Sequence, residues 1–440
     1  MKEKLTICIA GAGSTYTPGI INTLLLNLDV FPVEEVRLYD IDEKQNHRSK
    51  VIIEYLLKKS ELSIKLVETT DPQTAFVGVD YVFSQIRAGG LAMRELDEKI
   101  PLAHGLVGQE TCGLGGFSYG MRSMKGFLKL MSEIMTYAPD AWVLNYTNPE
   151  TIIAEAVRRE YPNAKIINAC DMVISVEKTL AEIYGYDHED WLVTYYGLNH
   201  FGWFKSIYDR KNHRELMPEI IQRALNEGVW LNEGDDSWKD TYVNLGRIIE
   251  YFPDAIPNNY LEYYLMPDEK AALADKTYTR ANHVMDNRVQ YMEGFYQAIL
   301  ADDTDSLKNY KMENEVHGQY IMSIALSLHN DLSERFNLIV ENKGAIPNLR
   351  QDAVVEVGCY VNAQGVVPIS LREDISDFHK GMMEAQVAAE KLLVDAFFEE
   401  SYLKALQAFT LNQTVPSMLV AKKVLDAMIE ANGDLWPKLK

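Results

Sequence analysis

The stretch that decides the fold is Leu5-Thr6-Ile7-Cys8-Ile9-Ala10-Gly11-Ala12-Gly13-Ser14-Thr15-Tyr16. Residues 5–10 are almost all apolar and predict a buried strand. The glycines that follow predict a tight turn whose backbone can approach a phosphate closely. A helix predicted over 18–28, with a proline in its first turn, would point its N–H groups and its positive dipole end at that phosphate. The chain therefore opens like a dinucleotide-binding fold, although Tyr16 stands where the third glycine of G-x-G-x-x-G is usual.

A second predicted strand, 36–40, ends in Asp40. In a dinucleotide fold, an acidic residue at this point accepts hydrogen bonds from the ribose hydroxyls. The same carboxylate would repel a 2′-phosphate, which favours NAD over NADP. The alternative is an ordinary tight turn followed by a solvated aspartate.

Short apolar runs alternate with helical patterns through the first part of the chain. Further strands are predicted at 64–67, 81–85, 142–145 and 166–168, and a second helix at 42–59. Strands that alternate with helices indicate right-handed βαβ crossovers and a mainly parallel, doubly wound sheet of Rossmann type.

After about residue 195 the pattern changes. Helical periodicity dominates at 291–300, 320–331, 386–408 and 414–432, with strands predicted at 337–340 and 354–357. We therefore expect an NAD-binding domain over residues 1–195. A helix-rich α+β domain over residues 196–440 would bind substrate and metal and carry subunit contacts, in an architecture like that of lactate and malate dehydrogenases.

Charge and cysteine usage exclude several classes of function. The 440 residues carry 43 Lys and Arg against 64 Asp and Glu, a net charge of −21. Nucleic acid needs a basic face and anionic membranes repel acidic proteins, so we expect neither as a partner. No stretch approaches the roughly 18 apolar residues of a membrane span. The four cysteines lie far apart without a CxxC pair, which is typical of a reducing compartment and predicts a cytoplasmic protein.

Polar residues follow the carboxyl ends of several predicted strands, where α/β folds bind ligands. Cys170 and His200 could share a divalent metal and leave positions open for water and substrate oxygens. A buried cysteine beside a satisfied core histidine, or a Cys–His nucleophile pair, would explain the same residues. Arg87 and Arg94 could likewise lie on a solvated helix face.

Taken together and in order, the motifs resemble family 4 of the glycoside hydrolases, the NAD- and metal-dependent glycosidases, over essentially the whole chain. After the opening glycine turn they are Gly108-Gln109-Glu110-Thr111, Asn145-Tyr146-Thr147-Asn148-Pro149, Cys170-Asp171-Met172 and Gly197-Leu198-Asn199-His200-Phe201-Gly202. Members of this family depart from the usual scheme of two catalytic carboxylates.

The resemblance implies a mechanism and a role for each matched residue. NAD⁺ would oxidise C3 of the sugar transiently, which acidifies the C2 proton, and elimination, water addition and re-reduction would follow. The implied catalytic residues are Tyr260 as base, Glu110 as its support and Asp171 as acid. The implied ligands of Mn²⁺ or another divalent metal are Cys170 and His200. NAD would be bound by Gly11, Gly13, Ser14, Thr15 and Asp40, and the phosphate of the substrate by Arg94, Asn148 and Arg280.

Within the family, Cys170-Asp171-Met172 resembles the enzymes that hydrolyse 6-phospho-α-glucosides, such as the phosphorylated disaccharide maltose 6′-phosphate. Val173 stands where that subgroup has proline. A 6-phospho-β-glucosidase or a non-phosphorylated α-hexosidase is the alternative inside the family. Outside it, an NAD-dependent 2-hydroxy-acid dehydrogenase and a non-catalytic NAD-binding regulator stay open. The resemblance also implies a homodimer or homotetramer.

Overall fold

The computed structural model describes residues 4–232, 234–312 and 316–440. Its strands are Leu5–Ala10 (β1), Val33–Tyr39 (β2), Lys65–Thr69 (β3), Tyr81–Ser84 (β4), Trp142–Asn145 (β5), Ile166–Ala169 (β6), Trp191–Leu198 (β7), Phe201–Asp209 (β8), Arg214–Glu215 (β9), Ile256–Pro257 (β10), Glu334–Glu341 (β11), Val354–Asn362 (β12) and Gly365–Pro368 (β13).

The helices of the first half are Thr17–Leu25 (α1), Glu43–Lys59 (α2), Pro72–Phe76 (α3), Gly90–Ala103 (α4), Gly113–Tyr137 (α5), Glu150–Glu160 (α6), Met172–Tyr184 (α7) and Met217–Glu227 (α8). Those of the second half are Asp236–Tyr251 (α9), Glu262–Leu265 (α10), Pro267–Leu273 (α11), Arg280–Val284 (α12), Gln290–Leu300 (α13), Thr304–Leu307 (α14), Val316–Asn330 (α15), Asp377–Glu399 (α16), Tyr402–Leu411 (α17) and Met418–Asn432 (α18). A π-helical turn, Met285–Val289, joins α12 to α13.

One mixed sheet organises the chain. Strands β3-β2-β1-β4-β5-β6 are parallel and lie in the Rossmann order. The sheet continues past β6 in antiparallel pairing through β11, β12, β7, β8 and β10. The predicted Rossmann-type fold is confirmed. The division at residue 195 stays a prediction, and it falls inside β7.

Strand β1 is buried on both faces, as its apolar run predicts. Ile7 and Ile9 pack in the core that α1 and α15 cover, whereas Cys8 and Ala10 face the core beneath α5, α6 and α16. Helices on both sides leave the ends of the strands as the open edges of the sheet, which positions the loops that follow β1, β4, β5 and β6.

One prediction for the second half is wrong, and one element was not predicted. The helix predicted over 386–408 is two helices, because Glu400 takes a left-handed conformation with φ 53° and Ser401 then caps α17 by accepting the Lys404 N–H. The long antiparallel hairpin β7–β8 was not predicted at all. Its residues are mostly apolar or aromatic without strict alternation, since the hairpin is largely buried on both faces. Within the described residues, no helix is long and apolar enough to cross a bilayer.

A buried ion pair fastens the helices beside the opening glycine turn. Arg122 of α5 donates from Nη1 to Asp97 Oδ1 of α4 over 2.9 Å and to Asn432 Oδ1 of α18 over 2.7 Å. The side chains of Arg122 and Asp97 are each 1% exposed. Removing one partner leaves an uncompensated buried charge.

We predict that Asp97→Ala lowers the free energy of unfolding by about 3–5 kcal/mol, because Arg122 would stay buried without its carboxylate. Denaturant unfolding followed by circular dichroism measures this. Glu34→Ala, which removes the acidic partner of the exposed pair Lys4–Glu34, is the control and should leave the midpoint nearly unchanged. Equal midpoints for both variants would contradict the role given to the buried pair.

Candidate active site

A cavity of about 2140 Å³ lies at the carboxyl edge of the parallel strands. Every site residue that the sequence predicts lines it: Gly11, Gly13, Ser14, Thr15, Asp40, Arg94, Glu110, Asn148, Cys170, Asp171, His200, Tyr260 and Arg280. These residues come from loops on both halves of the sheet. The structure brings them together, and the role of each stays a prediction.

The glycine turn is built for close approach. Gly11 has φ +83°, and a Cβ there would lie 3.0 Å from the carbonyl carbon of Gln85. The Gly13 N–H donates to Asp40 Oδ2 over 2.8 Å, and a Cβ on Gly13 would come 2.9 Å from that oxygen. The turn and the end of β2 therefore fit together as a dinucleotide site requires. Tyr16 is the residue before α1, and the guanidinium of Arg288 lies 3.5 Å from its ring centroid.

A thiol and an imidazole meet at the centre of the cavity. Cys170 Sγ lies 3.4 Å from His200 Nε2. Cys170 directly follows β6, and His200 occupies the β7–β8 turn with φ 61°. The hairpin closes tightly below the turn because Gly197 and Gly202 pair, and a Cβ on Gly197 would lie 2.3 Å from the Gly202 Cα.

The protonation states of Cys170 and His200 suit a pair of side chains that binds one divalent cation. Burial lowers the pKa of His200 to about 4, so the ring is neutral and can offer a lone pair. Its Nδ1 lies 2.9 Å from Thr111 Oγ1, which fixes the ring and leaves Nε2 for a cation. Burial raises the pKa of Cys170 well above its usual range, so a cation must displace the thiol proton.

Two protein ligands match an open site. In the part of the chain that the structure describes, no group of three or more His, Cys, Asp or Glu side chains is placed to hold a metal. Cys170 and His200 would therefore leave most coordination positions to water and substrate, as a catalytic site requires and a structural zinc site does not. A soft thiolate beside an imidazole accepts several divalent ions.

Asp171 has a partner that sequence reasoning missed. Its Oδ2 lies 3.4 Å from Nδ1 of His317, at the start of α15. Burial opposes ionisation, but the hydrogen bond and charge of His317 hold the pKa of Asp171 below its usual value. The 145 residues between them carry no shared motif, so only the packing of α15 against α1 reveals the contact.

Tyr260 lies beside the Cys170–His200 pair. Its ring centroid is 4.9 Å from that of His200, in an edge-to-face arrangement. Burial raises the pKa of Tyr260 far above its usual value, and the negative charge of Glu110 raises it further. The phenol is therefore neutral in the protein alone and needs a nearby cation to ionise.

Glu110 is bound to arginines. Its Oε2 accepts from Arg87 over 2.7 Å and lies 3.0 Å from Arg94 Nη1. Although burial opposes ionisation, the two cations lower the pKa of Glu110 to about 2. Because Glu110 is engaged by two arginines, it is less available to support Tyr260 as the base. That supporting role of Glu110 stays a prediction. The sequence left open whether Arg87 lies on a solvated helix face or in the site. The structure places it in the lining of the cavity.

The predicted phosphate residues differ in how free they are. Arg94 is buried and also donates from Nε to Glu98 Oε1 over 2.8 Å. The Oδ1 of Asn148 is buried without a hydrogen-bond partner among the residues described. Arg280 opens α12, its side chain is 40% exposed, and its Nη1 lies 2.9 Å from Asp235 Oδ2. Arg280 is thus the more accessible of the two arginines.

Comparison with known proteins identifies the family. The model of family 4 glycosyl hydrolases matches residues 6–186, and the model of their C-terminal domain matches residues 195–415. The chain belongs to family 4 of the glycosyl hydrolases.

Similar members of family 4 have named activities. A maltose-6′-phosphate glucosidase of Clostridium acetobutylicum is 44% identical over 99% of this chain and 100% of its own. A 6-phospho-α-glucosidase from gut microorganisms, crystallised with NAD and Mn²⁺, is 39% identical with a TM-score of 0.95, covering 99% of this chain and all of that one. A structure of a 6-phospho-α-glucosidase from gut microorganisms with NAD and glucose-6-phosphate is 40% identical, with a TM-score of 0.93 and the same coverage of both chains.

A malate dehydrogenase from Plasmodium falciparum is 10% identical, with a TM-score of 0.52 over 92% of this chain and 99% of its own, which shows a shared fold alone. It agrees with the dehydrogenase-like architecture expected from the sequence.

Val173, the departure from the family subgroup, leaves the site intact. It lies in the first turn of α7, directly after Asp171 and Met172, and is fully buried. A first-turn residue does not need its N–H for an intrahelical bond, so proline and valine both fit there. Valine is therefore compatible with the same helix start directly after Asp171.

We predict that His200 stays neutral in the metal-free protein between pH 7.5 and 5.5, because burial lowers its pKa to about 4. In ¹H–¹³C spectra of histidine-labelled protein, assigned with His200→Gln, its ring signals should not shift over that range. The denatured protein is the reference and should titrate near pH 6.5. A His200 midpoint near 6.5 in the native protein would contradict the burial account.

Proposed function

We propose that this family 4 protein hydrolyses 6-phospho-α-glucosides, such as maltose 6′-phosphate, with NAD and a divalent metal such as Mn²⁺. The observation that carries the proposal is the Cys170–His200 pair, 3.4 Å apart, in one cavity with the Gly11–Gly13 turn, Asp171 and Tyr260. A dehydrogenase that acts on small hydroxy acids needs no metal pair next to an acid. The 44% identity to a maltose-6′-phosphate glucosidase over the full length supports the same substrate.

The residues fit both cofactors. Gly11 and Gly13 would admit the pyrophosphate of NAD, Ser14 and Thr15 would contact it in the turn that leads into α1, and Asp40 would bind the ribose. Cys170 and His200 would hold the metal. When bound, these groups supply reversible hydride removal at C3 of the sugar and a Lewis acid for its C2 and C3 oxygens.

Proton transfers belong to the protein. Tyr260 removes the C2 proton, and a cation that His200 and Cys170 would hold beside it would lower the cost of forming a phenolate in a buried place. Asp171 donates a proton to the departing glycosidic oxygen, and water then adds at C1. All four side chains line the same cavity, with Cys170 and Asp171 adjacent after β6 and with His200 and Tyr260 on separate segments.

The phosphate is bound by arginines against the field of an acidic protein. Arg280 and Arg94 offer planar pairs of donors, which match two phosphate oxygens. The amide Nδ2 of Asn148, which lines the same cavity, would add a donor. A phosphate that displaces Asp235 from Arg280 exchanges one anion for another, so the site needs no new cation.

Two finer points complete the proposal. We expect a homodimer or homotetramer, on the resemblance to the family. We also expect a cytoplasmic location, where a thiol ligand stays reduced; all four cysteines of the structure are free and buried.

We predict that p-nitrophenyl α-glucoside 6-phosphate is hydrolysed only when NAD⁺ and Mn²⁺ are both present. Release of p-nitrophenol, followed with a reductant present, measures this. Both non-phosphorylated glucosides should react far more slowly, since they lack the phosphate that Arg94 and Arg280 would bind. The phosphorylated β-anomer should also react more slowly, since its leaving oxygen lies on the other face of the ring from that of the α-anomer.

The same assay separates the rivals. Net NADH accumulation would indicate a hydroxy-acid dehydrogenase, whereas the glycosidase releases sugar without net NADH. Equal turnover of phosphorylated and non-phosphorylated α-glucosides would remove the role of Arg280. A regulator that only binds NAD would release no nitrophenol with any substrate.

A further inference from the structure

His317 contacts the predicted acid Asp171, and no role has been given to it so far. Its Nδ1 lies 3.4 Å from Asp171 Oδ2, and its Nε2 is buried without a hydrogen-bond partner among the described residues. A carboxylate can only accept, so the contact requires the ring proton on Nδ1. The ring of His317 thus donates a hydrogen bond from Nδ1 to Asp171, while its Nε2 makes none to the described residues.

The ring is held in place from both sides. Its centroid lies 4.4 Å from that of Tyr146, which follows β5, and 4.9 Å from that of Tyr16 at the start of α1. Both contacts come from loops at the carboxyl edge of the sheet. The orientation of His317 is therefore coupled to the loops that form the cavity.

The helix that carries His317 is fixed as closely. Gly318, the next residue, is buried against α1, and a Cβ there would lie 2.8 Å from Thr23 Oγ1 and 3.3 Å from the Gly19 carbonyl oxygen. Only glycine lets α15 approach α1 at this distance. His317 consequently has little freedom to leave Asp171.

We propose that His317 is a positioning residue that holds Asp171 as the acid for the leaving oxygen. The inference rests on the proposed function. His317 donates to Oδ2, so the proton that is transferred is carried by the other oxygen of Asp171. The contact favours the carboxylate that remains after the transfer, which makes Asp171 a stronger acid for the proton it holds. As the C1–O bond breaks, that proton passes to the glycosidic oxygen, and the carboxylate left behind accepts the Nδ1–H of His317.

This role predicts a dependence on the leaving group. The glucose of maltose 6′-phosphate leaves as a poor leaving group that needs protonation, whereas p-nitrophenolate leaves without it. A loss of acid positioning therefore slows the first substrate and spares the second. A loss of folding, cofactor or metal slows both.

The test compares kcat on both substrates for wild type and three His317 variants. His317→Phe keeps the ring packing and removes the donor. His317→Asn places an amide N–H near the position of Nδ1, and His317→Gln places one near Nε2. His329→Asn, at the far end of α15, is the matched control.

We expect His317→Phe to lower kcat on maltose 6′-phosphate by roughly 10²-fold and on the nitrophenyl substrate by less than about threefold, the range of a lost acid–base contribution. Asp171→Asn should show the same split. His317→Asn should recover most of the lost kcat on maltose 6′-phosphate. His317→Gln should behave like His317→Phe, and His329→Asn should behave like wild type.

Equal losses on both substrates in His317→Phe, or equal activity of the Asn and Gln variants, would overturn the inference alone. If His317→Phe does not fold, the comparison of Asn with Gln decides. A wild-type protein that hydrolyses neither substrate would overturn the proposed function and this inference with it.

Discussion

The site depends on one long-range contact, the 3.4 Å approach of Cys170 Sγ to His200 Nε2. Cys170 ends a parallel strand of the Rossmann half, and His200 sits in the turn of an antiparallel hairpin. Strands β11 and β12 lie between them in the sheet, so the contact exists only because the sheet runs unbroken through both halves. Any change in the register of those strands would separate the ligands.

Electrostatics then divides the cavity into two parts. Around Cys170 and His200, burial shifts the pKa values of His200, Cys170 and Tyr260 so that all three side chains are neutral. Ionisation of the thiol and the phenol would therefore require a bound cation. Around the predicted phosphate site, Arg94 and Arg280 are already paired with carboxylates. Under the proposed function, this pairing would let a protein of net charge −21 keep an arginine available for an anion, because Asp235 stabilises Arg280 until the phosphate of the substrate replaces it.

Local signals predicted much of this and long-range ones could not. The run of apolar residues before Gly11 predicted β1 with the bounds 5–10 that the structure has, and the ordered motifs predicted the residues of the cavity. The contact of His317 with Asp171 has no sequence signal, because it depends on helix packing rather than on spacing. The break at Glu400 also escaped, since apolar periodicity continues through it and only the backbone conformation ends the helix.

The central claim is that the glycosidic bond breaks by elimination after removal of the C2 proton, not by direct displacement. Hydrolysis of maltose 6′-phosphate in D₂O, with NAD⁺ and Mn²⁺ present, tests it directly through NMR of the glucose 6-phosphate that comes from the phosphorylated ring. The account predicts deuterium at C2 of that product, because the proton that Tyr260 removes exchanges with solvent. Product that retains only its original hydrogen at C2, formed at the normal rate, would contradict it.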